Sequence, residues 1–242
     1  MEFVSREHFD TYLKGIQYLG QGCQGVCYLN TRNNTVYKVF NDYFDEEDAG
    51  YTKDFLLRFS DIKNSTFIWP NAVIIVAGTI VGYTMPYVKA KNLCDINPLQ
   101  VNLDKLEEAT IRAEKDIKLL TDSNVKLYDV RYNILYNNGK MYVIDTLDYN
   151  NSKTTYIENR RPVDDELMLF LVDNYFDYFV ENDKLLNAMY RDYGVRGVDF
   201  LKVFRSKLSE YAGKDITKLS EVKHLVRKNK DHIYQRGVYY DK

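Results

Sequence analysis

The chain changes its hydrophobic period near residue 87, and that switch limits what it can fold into. Before it, apolar and polar residues alternate in short runs. Residues 16–40, IQYLGQGCQGVCYLNTRNNTVYKVF, hold two β-like runs around a glycine-rich turn and, after the tip TRNNT, a third run, VYKVF. AVIIVAG and IVGYTMPYV follow as two more strand candidates with a glycine between them. Between these sets, DEEDAGYTKDFLLRFSDI starts with acidic residues and places Phe55, Phe59 and Ile62 at helical spacing. That spacing predicts a helix over 46–60 with both phenylalanines toward the core.

After Tyr87 the pattern turns helical. NLDKLEEATIRAEKDIKLLTDS is amphipathic, with Leu103, Leu106, Ala113, Ile117 and Leu120 on or near one face. LYDVRYNILYNNGKMYVIDT reads as two short strands around an Asn137–Asn138–Gly139 turn. From Val163 onward, VDDELMLFLVDNYFDYFVEN, DKLLNAMYRDY, GVDFLKVFRSKLSEY and DITKLSEVKHLVRKN read as helices. Strands and helices are segregated, so the expected class is α+β, with a β-rich lobe over 1–86, a hinge at 87–93 and a helical lobe over 94–242.

The 242 residues suit one large domain or two small lobes, and a net charge of −2 points to neither nucleic acid nor an anionic membrane as partner. Residues 201–242 carry 11 Lys/Arg against 5 Asp/Glu, a local +6 that reads as a solvated helix face. Three cysteines without CxxC spacing, and only His8, His224 and His232, supply no metal cluster near in sequence. The expectation is a reduced, cytoplasmic protein. The longest apolar run, AVIIVAGTIVGY, is too short to span a bilayer, and MEFVSREHFD has no signal-peptide core.

GQGCQG, with Gly20, Gly22 and Gly25, is a GxGxxG string between β-like runs rather than before a helix. Such a turn can close over phosphates because glycine offers no Cβ obstruction, and a plain hairpin turn fits the same string. Lys38 in VYKVF points away from Tyr37; it either sits on an exposed face or is buried beside an anionic partner. Asp129 reads as a turn or cap residue or as a catalytic carboxylate, and Asp145 as a strand end or a metal ligand.

LGQGCQGVCYL, VYKVF, YTMPYVKAKNL, LYDVRYNIL and VIDT stand in the order, and on the elements, of landmarks of the protein-kinase-like superfamily. Over residues 15–150 the chain resembles a small, divergent member of bacterial or phage type. The resemblance implies a two-lobed kinase-like fold with Mg·ATP between the lobes. Gly20, Gly22 and Gly25 would cover the phosphates, Lys38 would anchor them, and Cys27 and Val36 would lie over the adenine. Met85 would be the gatekeeper, with the Pro86 carbonyl and the Val88 N–H meeting the adenine edge. Asp129 would orient the acceptor hydroxyl, Arg131 would stand near the γ-phosphate, and Asn133 and Asp145 would hold Mg²⁺. Asp54, or else Glu47, would be the carboxylate paired with Lys38.

Three departures stand out. Asp129 and Asn133 are four positions apart where the family has five, DTL replaces a DFG-type triplet, and no APE-type element precedes the next helix. The implied activity is phosphoryl transfer to a Ser/Thr or other hydroxyl. The alternatives are a catalytically impaired nucleotide-binding scaffold and a small-molecule kinase of the aminoglycoside or choline type.

Overall fold

The computed structural model describes residues 1–173 and 175–225. It is a mixed α+β protein with an N-terminal sheet and a helical C-terminal part. The chain divides into two compact units, one of residues 1–63 and 68–89, the other of 64–67 and the chain from Ala90 onward.

The first unit contains β1 (Glu2–Phe3), α1 (Arg6–Lys14), β2 (Gln17–Gln21), β3 (Gly25–Asn30), β4 (Thr35–Phe40), α2 (Asn41–Phe44), α3 (Lys53–Leu57), β5 (Ala72–Val76) and β6 (Thr79–Pro86). The strands form one six-stranded sheet in the order β1-β5-β6-β4-β3-β2. The β5–β6 hairpin turns through Ala77 (φ 49°) and Gly78 (φ 88°), the left-handed pair that a two-residue turn needs to match strand twist. The Ser5 side chain caps α1 by accepting the His8 N–H at 3.2 Å. Phe9 and Leu13, one helical turn apart, then pack with Tyr37, Val39 and Ile74 of the sheet. Strand alternation therefore sends Lys38, between Tyr37 and Val39, to the face away from that cluster.

The helix expected over 46–60 forms only over Lys53–Leu57, as α3. Glu46 (φ 65°) and Gly50 (φ 72°) are left-handed, and Asp48 Oδ1 accepts the Gly50 N–H at 2.9 Å, so a side-chain turn replaces helical bonds there. In the short α3 it is Leu56 that is buried. Phe55 is 41% exposed, stacked on Tyr51 and covered by the Arg58 guanidinium, while Phe59 packs on Trp69.

The second unit begins with β7 (Lys91–Asn92) and α4 (Leu103–Asp122). The Asn102 side chain caps α4 at the Lys105 N–H (2.9 Å), and Leu103, Leu106, Ala113, Ile117 and Leu120 are buried, as their spacing predicts. β8 (Val125–Lys126), β9 (Ile134–Asn137), β10 (Lys140–Val143) and β11 (Asn150–Asn151) follow. β9 and β10 turn through Asn138 (φ 35°) and Gly139 (φ 90°). β7 adds to β9, and β8 pairs with β11.

The remaining helices are α5 (Tyr156–Val172), α6 (Asp177–Asn182), α7 (Lys184–Arg191) and α8 (Gly197–Ala212). α5 starts well before Val163, so VDDEL is mid-helix rather than a helix start. Its start is a capping box: Thr155 Oγ1 accepts the Glu158 N–H at 3.2 Å and Glu158 Oε2 accepts the Thr155 N–H at 2.7 Å. The helix runs on through Pro162 because buried residues such as Val163, Leu167 and Leu171 hold it in the core. Instead of a last α-helix over 215–229, Leu219–Leu225 forms 3-10 turns broken at Val222. The rest of that predicted helix, His232 and the basic segment beyond 225 lie outside the described residues. Among the described residues no helix is long and apolar enough to cross a membrane.

Candidate functional site

In the first unit, Lys38 lies opposite Cys27 on β3 and Tyr83 on β6, and Val36 opposite Met85. Residues directly opposite across a ladder share a face, so Cys27, Val36, Lys38 and Met85 stand on one surface of the sheet. Lys38 is only 5% exposed, which overturns the exposed-face reading. Its Nζ donates to Gln24 Oε1 at 2.9 Å and lies 5.9 Å from the Tyr83 ring centroid. β6 ends at Pro86, the Tyr87 N–H donates to Asn34 O at 2.9 Å, and Val88 lies beyond the strand. Asp54, in the first turn of α3, and Glu47 are both exposed.

The three glycines of GQGCQG have different reasons to be glycine. A Cβ on Gly25 would stand 2.2 Å from the Val39 carbonyl oxygen, so packing of β3 on β4 alone requires it. A Cβ on Gly20 or Gly22 would meet nothing within 4 Å, and neither backbone is left-handed. Internal packing therefore does not explain those two. The tip itself is built: Gly22 N–H donates to Gly25 O at 2.9 Å, and Asn41 Nδ2 donates to Cys23 O at 2.8 Å.

In the second unit, segments 127–133 and 144–149 each run from the β8–β11 ladder to the β9–β10 hairpin. The Ile144 N–H donates to Asn133 O at 3.0 Å, which sets Asn133 and Asp145 at the same end of that hairpin. Asn133 also closes the short loop. Its N–H donates to Val130 O at 3.0 Å, and its Nδ2 donates to Asp129 O at 2.7 Å. Asp129 (φ 45°), Tyr132 (φ 64°) and Asp145 (φ 58°) are all left-handed, a conformation that costs about 1–3 kcal/mol for a non-glycine residue. Three strained residues in two neighbouring loops need support, and side chains from elsewhere in the unit provide it. Buried Asn159 of α5 accepts the Leu127 N–H at 3.0 Å and donates to Val125 O at 2.8 Å. Asn92 Nδ2 donates to Tyr132 O.

Asp129 is exposed and Asp145 half-buried. The fully buried Tyr149 phenol is pushed far above its ordinary range, first by burial and then by the Asp129 and Asp145 carboxylates, so it stays protonated beside them. Arg131 Nε lies 3.8 Å from Glu166 Oε1, and its guanidinium lies 5.0 Å from the Tyr132 ring centroid. Arg131 and Glu166 line a cavity of about 470 Å³ together with Arg161, Met168 and Tyr190. Thr146 and Leu147, which follow Asp145, are buried.

Sequence reasoning missed Asn41, Asn92, Tyr149 and Asn159. Asn41, Asn92 and Asn159 reach partners 18, 40 and 32 positions away, and of the four only Asn92 lies in a readable string, YTMPYVKAKNL. No protein-family model matches the chain, and no curated protein matches it.

Proposed function

We propose that the protein is a Mg·ATP-dependent phosphotransferase of two-lobed, kinase-like fold that transfers the γ-phosphoryl group to a hydroxyl. The observation that carries this reading is the pairing of two strained loops, one presenting Asp129 and Asn133, the other Asp145. Strain of this kind persists where the surrounding structure over-determines it, and it concentrates at functional sites.

The residues fit the ligand. With its Nδ2 committed to Asp129 O, Asn133 keeps Oδ1 as an acceptor, and Asp145 adds carboxylate oxygens at the same hairpin end. Mg²⁺ takes hard oxygen ligands and needs only one or two from protein, with waters and phosphates completing the octahedron. The open flanks of Gly20 and Gly22 suit close approach of phosphate oxygens. Bound Mg·ATP supplies the phosphoryl group and neutralises its charge. Lys38 would hold the phosphates, the exposed Asp129 carboxylate would orient the acceptor and take its proton, and Asn133 would fix the loop that carries Asp129. Only residues 146–155 separate Asp145 from α5, a short platform that favours a small-molecule alcohol over a protein acceptor.

A thermal-shift titration with ATP and Mg²⁺ tests the reading. Saturation near 100 times Kd should stabilise the wild type by about 2.7 kcal/mol. Lys38→Met should stay folded and lose the response. An equal response in Lys38→Met would remove Lys38 from the ligand and the reading with it.

A further inference from the structure

We propose that Asn92 is a positioning residue for the Asp129 loop, a role that rests on the phosphotransferase reading above. The loop is one residue shorter than its resemblance implies, so it has little freedom to find its geometry unaided. Its last residue before Asn133 is Tyr132, held at φ 64°, a backbone region that a bulky side chain disfavours. A segment in such a conformation springs back unless its peptide groups are held from outside. Asn92 does this, because its Nδ2 donates to the Tyr132 carbonyl across 40 positions of sequence.

The delivery of Asn92 is itself structural. β7 has only two residues, and its ladder sets Asn92 opposite Leu135, just past the loop. The other end of the same amide is also committed: Asn92 Oδ1 accepts the Cys94 N–H at 2.9 Å, capping the 3-10 turn Leu93–Asp95. One half of the side chain therefore caps its own turn and the other half holds the loop. With both amide atoms engaged, the side chain is fixed in orientation, so the Tyr132 carbonyl is held by a rigid donor. Through Tyr132 the constraint reaches Asn133, whose Nδ2 bonds Asp129 O, so the Asp129 carboxylate is set by a chain of two asparagine amides. Asn92 itself touches no reacting atom in this account.

The two halves can be separated by substitution. Asn92→Asp keeps an oxygen for the Cys94 N–H and removes the donor to Tyr132; Asn92→Ala removes both. Hydrogen exchange of the Asn133 and Ile144 amides in the ligand-free protein reads loop fixation without any nucleotide. Both variants should exchange at these amides on the order of tenfold faster than wild type, with melting of Asn92→Asp close to wild type. ATP turnover, to water where no other acceptor is supplied, should also fall about 10–100-fold in kcat with KM for ATP little changed. Exchange and kcat in Asn92→Asp that match wild type, with only Asn92→Ala impaired, would reduce Asn92 to a cap and overturn the proposal. Faster exchange in a protein whose wild type binds no Mg·ATP would leave the bond standing as structure alone, and would overturn the phosphotransferase reading rather than the contact.

Discussion

The side-chain amide of Asn133 donates to the main-chain carbonyl of Asp129 at 2.7 Å, and this bond closes the loop between them. The loop is therefore a closed unit rather than a truncated one. Its length matches the reach of one asparagine side chain plus one turn bond from the Asn133 N–H to Val130 O. Insertion of one residue after Tyr132 would restore the spacing of the family that the chain resembles and break this closure. The expected result is loss of activity, not gain, since a displacement of about 1 Å can cost on the order of 10²-fold. ATP turnover of the insertion variant measures it, and a faster variant would mean that the short loop is a defect.

The glycines separate packing from ligand approach. Gly25→Ala forces a Cβ against Val39 O and should destabilise the fold by about 1–3 kcal/mol in denaturant unfolding. Gly20→Ala and Gly22→Ala enter open space and should stay within about 0.5 kcal/mol of wild type. Both should nonetheless weaken ATP binding, because the added methyl stands where phosphate oxygens would approach. Unchanged ATP affinity in both variants would make GQGCQG a hairpin turn and nothing more.

Some of this molecule was legible in its sequence, and the reasons differ by element. α4 was readable because its apolar residues recur at a single period along one buried face. The β3–β4 hairpin was readable from its TRNNT tip and the β9–β10 hairpin from its Asn138–Gly139 turn. The start of α5 was hidden because a helix buried nearly all round has no stripe and Pro162 looks like a stop. The expected helix over 46–60 shrank to Lys53–Leu57 because Asp48 turns the backbone before it, and its Phe55 stacks outside the core. Lys38, Asn133 and Asp145 stood out because each lies inside a short readable string. The groups that hold the Asp129 loop did not, since Asn92 and Asn159 bond its Tyr132 and Leu127 from 40 and 32 positions away.

A buried acid sets a pH dependence that lies apart from the candidate site. Asp164 is 1% exposed, accepts the Gly197 N–H at 2.8 Å and lies 3.0 Å from Arg160 Nε. Burial outweighs both of these favourable contacts, and Glu114 and Asp165 add to it, so the carboxyl is pushed up from 3.8 to about 7. A folded-state pKa above the unfolded value means that its stabilising contribution is full below about pH 3.8 and is lost as pH rises through about 7. Stability should therefore fall as pH rises from about 4 to about 7. Asp164→Asn, which has the shape of the neutral acid, should flatten that slope because position 164 no longer titrates. A wild-type profile that rises over the same range would mean that the Arg160 pair, not burial, governs this group.

The most direct test of the central claim is the Mg²⁺ dependence of ATP affinity, measured by calorimetry in the wild type and in Asp145→Asn. The substitution keeps the shape of the side chain and removes its charge. If Asp145 and Asn133 hold the metal, Mg²⁺ should tighten ATP binding to the wild type and leave Asp145→Asn unaffected, with metal-free affinity equal or better because the carboxylate no longer repels phosphate. Equal Mg²⁺ enhancement in both proteins, or no ATP binding to the wild type at all, would contradict it.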